Sequence, residues 1–521
     1  MSELHLPNRI RQLATEHPDR AAVSSGGTTL TYSEFDTLTN RVASALTTVP
    51  SRSRRIGALL RMDLPGAASF VGCAKAGLVF TPLNWRLRPD EIADIADDAR
   101  LDVLIAEDEF AASARAAAEA LPDVQIVVVG DASSVPGARA WDDFVASGDG
   151  VDPGFGDDPQ AEVLQLYTSG TTGLPKGVVA RHHNIFNEPR NFEIYEFTDD
   201  SVALDALPLF HIAGVGWMST TLSAGVHLVL LGEMRPEPVA AAISRYGITH
   251  TFLVPSAIGM LVEMPGLADH DLSSLRLVAY GASPITPTQL ARAMDVLGCR
   301  FVQRYGMTET MGALTALRAH DHDPHGPRSY LLRSAGTPLP GIEVQIRDIA
   351  TGEPLPVGET GEIVCRSRNN TSGYWRRDAE NVALFTADGF LRTGDAGHLD
   401  EDGYLFVTDR VKDMIITGGE NVYPIEVESV LAEHPAVAEV AVVGIPDDRW
   451  GEAVTAIVRV APGAGTPTEA ELLEFVVERL ASYKKPQRIH FVDELPRNAS
   501  GKVLKRTLRD EFARVSEEST P

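Results

Sequence analysis

Between residues 56 and 106 the sequence changes period repeatedly. A short apolar run at 56–60 gives way to helical spacing at 67–76 closed by Gly77, then a run at 79–83, helical spacing from Pro89 to Ala99, and a run at 103–106. Strands that lie parallel need a crossover to bring the chain back, and a helix is the usual crossover. This alternation therefore restricts the chain to an α/β fold with largely parallel sheets. The pattern begins earlier, with a helix expected at 6–15 and a strand hairpin over 21–24 and 28–31 around Gly26 and Gly27. Thr31 and Glu34 then have the spacing of a capping box and open another helix. The alanine-rich stretch 111–120 reads as helix, and 147–158, rich in Gly and Asp, as a loop.

At 521 residues the chain exceeds what one core organises, so two or more domains are expected. Acidic residues outnumber basic ones 72 to 46, a net charge of −26 that disfavours nucleic acid and anionic membranes. An anionic substrate must then be met by locally placed cations. Cys73, Cys299 and Cys365 are far apart and lack paired spacing, which fits a reducing compartment better than a disulfide or zinc framework. The first 14 residues carry charges and a proline, unlike a signal peptide, and no apolar run approaches the ~18 residues of a membrane span. The expectation is a soluble, cytoplasmic protein.

The stretch richest in chemistry is Leu-Tyr-Thr-Ser-Gly-Thr-Thr-Gly-Leu-Pro-Lys-Gly-Val (166–178). A buried strand at 163–167 runs into four hydroxyls (Thr168, Ser169, Thr171, Thr172) interleaved with Gly170 and Gly173 and followed by Lys176. Glycines let backbone N–H groups approach an anion, while the hydroxyls and one lysine add donors and positive charge. That set suits a polyphosphate, although the spacing is not that of the common Gly-x4-Gly-Lys-Ser/Thr loop.

This string resembles the phosphate loop of the adenylate-forming superfamily, which includes acyl-CoA synthetases, adenylation domains of peptide synthetases and luciferases. The resemblance continues in order to Lys502. In Pro-Leu-Phe-His (208–211), it implies that His211 gates a carboxylate pocket; an isolated histidine on an apolar stretch also fits a core position. A helix from Ala213 would line an acyl tunnel, with Gly214 leaving room and Trp217 and Met218 as walls, yet small residues equally serve close helix–sheet packing. Val-Ala-Tyr-Gly-Ala-Ser-Pro (278–284) is a strand ending in a turn, where ligand crevices of parallel sheets form. By resemblance Gly281, Ala282 and Ser283 pack on adenine. In Val-Gln-Arg-Tyr-Gly-Met-Thr-Glu (302–309), Glu309 is an oxygen ligand suited to Mg²⁺. The resemblance gives Tyr305 an adenine stack, Thr308 a phosphate contact, and Gly306 and Met307, with Gly281, part of the acyl pocket. His-Asp-His-Asp-Pro-His (320–325) fits no usual zinc spacing, and its turn formers point to a solvated loop.

Strands are expected at 341–346 and 361–365, within a β-rich subdomain at 335–408. Asp395, in Leu-Arg-Thr-Gly-Asp (391–395), is placed to accept from both ribose hydroxyls or to satisfy its own turn; the resemblance favours ribose. The block 408–424 is similar to the family's hinge, with Arg410 on ribose or α-phosphate, Lys412 at the pivot and Gly418, Gly419 and Glu420 on the coenzyme A side. A helix capped at Asn421 or at Tyr423-Pro424 follows, then strands at 439–444 and 453–460, and a helix with a Thr468/Glu471 capping box. In Pro-Arg-Asn-Ala-Ser-Gly-Lys (496–502), Lys502 is implied to bind the substrate carboxylate and the α-phosphate.

The resulting expectation is an N-terminal domain (1–409), a hinge (410–412) and a small mobile α+β C-terminal domain (413–521). The implied enzyme is an acid–thiol ligase using ATP, Mg²⁺ and coenzyme A on a small carboxylic acid. A fatty acid comes first, an aromatic acid second, and transfer to a carrier protein or amine third. A homodimer is possible for such families. A catalytically silent nucleotide-binding module is the non-enzymatic alternative.

Overall fold

The computed structural model describes residues 5–155, 158–168, 175–185, 192–417, 420–447, 450–497 and 503–518. It has two compact units: Met1–Val344 with Cys365–Leu391, and Gln345–Val364 with Arg392–Pro521. The α/β class holds, with a large N-terminal part of mixed parallel sheets and a smaller C-terminal part. The units differ from a cut at 409–413, because 345–364 and 392–409 group with the C-terminal residues.

Among the described residues of the first unit, two sheets dominate. The nine-stranded sheet runs Thr337–Pro338, Gly312–Leu317, Arg300–Met307, Leu277–Gly281, His250–Leu253, Val202–Asp205, His227–Leu230, Ala21–Ser25, Thr28–Thr31. Its middle is parallel and its ends are antiparallel. The seven-stranded sheet runs Arg139–Ala140, Gln125–Val129, Val103–Glu107, Arg55–Leu59, Val79–Pro82, Glu162–Thr168, Lys176–Arg181, with only the last pair antiparallel.

The largest core cluster joins both sheets to helices Leu6–Glu16, Tyr32–Thr47, Leu64–Ala76 and Ile212–Ala224, which therefore form a middle layer. Helices Pro236–Tyr246, Pro255–Val262 and Pro287–Leu297 cover the far face of the first sheet. Pro89–Ala99 and Ala111–Ala120 cover that of the second. Strands covered on both faces read as continuous apolar runs, which is why they were legible. Local signals set the helix ends. Thr31 and Glu34 form the expected capping box, a contribution of about 1 kcal/mol, and Gly77 closes its helix in the left-handed region at φ 67°. Lys75 was not anticipated: fully buried in the middle layer, its Nζ lies 2.6 Å from both Asp36 Oδ1 and Asn40 Oδ1, tying two helices together.

In the smaller part, Glu343–Arg347, Gly361–Arg366, Leu391–Leu399 and Leu405–Arg410 form a four-stranded sheet, most of whose residues belong to the second unit. In a five-stranded sheet, Gly451–Val460 pairs with Val437–Asp447, Ile415–Thr417 and Arg488–Phe491, and Glu420–Val422 lies outside Ile415–Thr417. Helices Pro424–Ala432 and Glu469–Val477 pack on one face and Lys505–Glu518 on the other. Tyr423 caps the first of these with Pro424 in its first turn, and Thr468 and Glu471 form their capping box.

One expectation needs correction. The histidine-rich stretch 320–325 is not simply solvated: Asp321 and His322 are buried while His320 and His325 are exposed. His322 Nδ1 lies 2.9 Å from the Arg318 carbonyl, so it donates there, and Nε2 accepts from the Tyr280 hydroxyl at 3.0 Å. Burial holds the ring neutral, pushing its pKa down to about 4. The stretch thus braces the strand that leads to Gly281.

Candidate active site

The expectations for Ser169, Gly170, Thr171, Thr172, Gly173, Gly418, Gly419 and Lys502 lie outside the described residues, as do the side chains of Lys412 and Glu420. The remaining site residues fall into two groups, one in each unit.

In the first unit, Glu162–Thr168 precedes the hydroxyl-rich stretch of the sequence and Lys176 opens the returning strand, directly opposite Thr168. Segment 373–375 runs along that strand. Val179 N–H donates to the Gly373 carbonyl at 3.1 Å, and Trp375 N–H donates to the Gly177 carbonyl at 2.7 Å. Asn381 grips Tyr374 on both sides, accepting its N–H at 2.6 Å and donating to its carbonyl at 3.0 Å. The tyrosine is therefore held where its ring meets Lys176, whose Nζ lies 5.1 Å from the ring centroid and 3.9 Å from Glu380 Oε1.

The Tyr374 hydroxyl donates to Glu309 Oε1 at 2.8 Å, and the Thr371 N–H donates to the Glu309 carbonyl at 2.8 Å. Glu309 follows the strand Arg300–Met307 in a short turn, Thr308–Thr310, and is buried. Burial, then the neighbouring carboxylate, pushes the Tyr374 phenol up, so it remains a donor. Among the described residues no Lys, Arg or His nitrogen comes within 4.0 Å of the Glu309 carboxylate. A buried carboxylate without a cation is costly. Mg²⁺ commonly takes one or two carboxylates and completes its shell with phosphates and water, so this donor set fits it.

Tyr305 and Met307 pack partly buried against Leu314 and Cys365, while Thr308 is half-buried. Gly281 and Gly306 are glycines for a structural reason: a Cβ would stand 2.2 Å from the Arg304 carbonyl oxygen or 2.0 Å from that of Gly312. Just beyond these strand ends, Ala282 (φ 68°) and Met311 (φ 48°) occupy the left-handed region, a strain of order 1–3 kcal/mol each that tends to cluster at ligand sites. Ala282 and Ser283 are exposed.

The acyl-side residues have firm structural employment. Gly214 cannot carry a Cβ, which would lie 2.4 Å from the Pro208 carbonyl oxygen. Trp217 is buried, its indole N–H donating to the Leu204 carbonyl at 2.9 Å and its ring packed edge-on to Tyr195, while Met218 is fully buried. His211 starts the helix Ile212–Ala224 through its carbonyl, leaving its ring against Phe210, 4.6 Å between centroids. Burial, then Arg86, pushes its pKa down to about 4, so the ring is neutral at pH 7.

In the second unit, Asp395 and Arg410 face each other across Leu391–Leu399 and Leu405–Arg410 and form an ion pair of 2.8 Å. Asp409 accepts the Ile425 N–H at 2.9 Å. Lys505 lies 2.8 Å from Glu428 and 3.9 Å from Asp409, fastening the C-terminal helix to the strand that ends in Arg410. Sequence reasoning missed Tyr374, Asn381 and Lys505; the one available signal was an aromatic pair, Tyr374-Trp375, following a glycine downstream of the strand expected at 361–365.

Residues 10–375 match the model of the AMP-binding enzyme family, and residues 426–502 match that of the AMP-binding enzyme C-terminal domain. The chain belongs to the AMP-binding enzyme family. This AMP-binding enzyme is 39% identical over 506 residues to a fatty acid–[acyl-carrier-protein] ligase of Streptomyces coeruleorubidus, covering 96% of this chain and 95% of the relative. It is 38% identical to an indoleacetate–CoA ligase of Aromatoleum aromaticum, covering 98% and 99%. Among solved structures it resembles ATP-bound MatB from Rhodopseudomonas palustris, with TM-score 0.87, 30% identity and coverage of 98% and 99%. It also resembles the amide bond synthetase McbA from Marinactinospora thermotolerans, with TM-score 0.84, 32% identity and coverage of 97% and 99%. The AMP-binding enzyme is thus an adenylate-forming ligase, and ATP use follows from the family. Among the described residues no helix is long and apolar enough to cross a membrane.

Proposed function

We propose that this enzyme activates a fatty acid with ATP and transfers the acyl group to coenzyme A. The observation that carries the reading is Glu309, a buried carboxylate that keeps no protein cation among the described residues and accepts from Tyr374, the residue whose ring meets Lys176.

In the first step a carboxylate oxygen attacks the α-phosphorus and pyrophosphate leaves. Both reactants are anions, so alignment and charge neutralisation carry the catalysis. Lys176 and the hydroxyl loop hold the β- and γ-phosphates, with Glu309 holding Mg²⁺. The ion when bound neutralises phosphate charge. Asp395 accepts from the ribose hydroxyls, Arg410 contacts ribose or α-phosphate, and Gly281, Ala282, Ser283 and Tyr305 receive the adenine. Lys502 neutralises the attacking oxygen and the α-phosphate. A neutral His211 places the substrate carboxylate without adding charge. In the second step the thiol attacks the acyl carbonyl and AMP leaves. A turn of the C-terminal domain about residues 410–412 separates the two reactions. The unpaired thiols of Cys73, Cys299 and Cys365 fit a cytoplasmic protein.

A carrier-protein thiol is the second reading of the acceptor, favoured by the 39% identical ligase of that kind. The test supplies fatty and aryl acids with ATP, Mg²⁺ and either coenzyme A or a phosphopantetheinylated carrier, and follows thioester by mass spectrometry. Fatty acyl-CoA is expected. Thioester on the carrier alone would replace the acceptor, and aryl-CoA alone would replace the acid.

A further inference from the structure

Two contacts converge on one side chain to which no role has been given. The Tyr374 hydroxyl donates to Glu309 Oε1 at 2.8 Å, and its ring faces Lys176 Nζ at 5.1 Å. Its backbone is clamped by Asn381, while Thr371, three residues earlier, holds the Glu309 carbonyl through its N–H and the Val179 carbonyl through its hydroxyl at 2.6 Å. Segment 371–381 thus binds the turn that carries Glu309 to the strand that carries Lys176.

We propose that Tyr374 is a positioning residue for nucleotide binding, aiming the Glu309 carboxylate through its hydroxyl and the Lys176 ammonium through its ring. The inference rests on the assignment of Glu309 and Lys176 to the metal and the phosphates. The physical reasons are separate for the two ends of the side chain. A carboxylate can rotate, and a hydrogen bond to Oε1 fixes its plane and leaves Oε2 for a cation. A lysine on a flexible stem loses rotamer freedom on binding phosphate, and a ring face that already holds its ammonium lowers that cost. Glu380, 3.9 Å from Lys176, is the counter-anion that the lysine leaves when phosphate arrives.

The experiment measures ATP binding by calorimetry, with Mg²⁺ and with EDTA, for the wild type, Tyr374→Phe and Tyr374→Leu. Wild type should bind ATP more tightly with Mg²⁺ than without it. Tyr374→Phe keeps the ring, so metal-free ATP should bind as in the wild type, while the enhancement by Mg²⁺ falls about tenfold. Tyr374→Leu should lose that enhancement and also bind metal-free ATP several-fold more weakly. A side chain that merely packs would leave both ratios unchanged. An undiminished Mg²⁺ enhancement in Tyr374→Phe overturns the inference, and that variant decides the hydroxyl's part even where Tyr374→Leu fails to fold. A wild type that binds no ATP in either condition overturns the proposed function and this inference with it.

Discussion

Asp395 and Arg410, drawn from two separate motifs, are direct partners across an antiparallel strand pair and close an ion pair of 2.8 Å. The carboxylate is the buried member and the guanidinium the half-exposed one. Removing the arginine takes one counter-charge from a buried carboxylate, so Arg410→Met should lower unfolding stability by about 2 kcal/mol in urea titrations. Adding Asp395→Asn should recover part of that loss. Simply additive losses would show that the pair is not coupled.

Two glycines should respond in opposite ways to the same change. A Cβ at Gly306 meets the Gly312 carbonyl oxygen at 2.0 Å, whereas a Cβ at Gly216, within the helix Ile212–Ala224, meets nothing within 4 Å. Gly306→Ala should destabilise by about 1–3 kcal/mol. Gly216→Ala should be neutral or stabilise by up to about 1 kcal/mol. Thermal unfolding of the two variants checks the contrast.

The buried His322 gives the protein an acid-sensitive brace. Its folded pKa is pushed down to about 4 by burial, against about 6.5 when unfolded. Between these values the unfolded chain binds more protons, so stability falls as pH drops from 6.5 towards 4. His322→Gln should flatten the slope of stability against pH in that window by up to about 1.4 kcal/mol per pH unit. An unchanged slope in urea titrations at pH 7, 6 and 5 would count against this.

Lys505 is the sole cation in ion-pair range of Glu428 among the described residues, and it also lies near Asp409. Lys505→Met should destabilise the C-terminal part by about 3 kcal/mol, because two carboxylates lose their counter-charge. Lys505→Met with Glu428→Gln should recover part of that. Limited proteolysis with mass mapping locates the loss; cleavage spread evenly over the chain would speak against a local anchor.

The fold was legible where burial is two-sided and local. Strands such as Arg55–Leu59 and helices such as Pro89–Ala99 were bounded to within a residue or so by apolar runs, prolines and capping pairs. Lys75 and His322 were illegible because what they signify depends on partners 35 to 42 residues away. For the same reason Tyr374 escaped notice, since its partner Glu309 is 65 residues distant. Glu309, Lys176 and Asp395 stood out through the glycines and hydroxyls beside them, and Arg410 through the family resemblance alone. For His211, Gly214 and Trp217 the sequence left pocket and packing open. The structure adds a packing reason for Gly214 and Trp217 and a neutral, half-buried ring for His211.

The measurement that bears most directly on the central claim is acid-dependent exchange of labelled pyrophosphate into ATP, across fatty, aryl and short dicarboxylic acids, with Glu309→Gln as control. The account predicts exchange that requires an acid and Mg²⁺, is greatest with fatty acids, and is nearly lost in Glu309→Gln. Absence of exchange with every acid would contradict it.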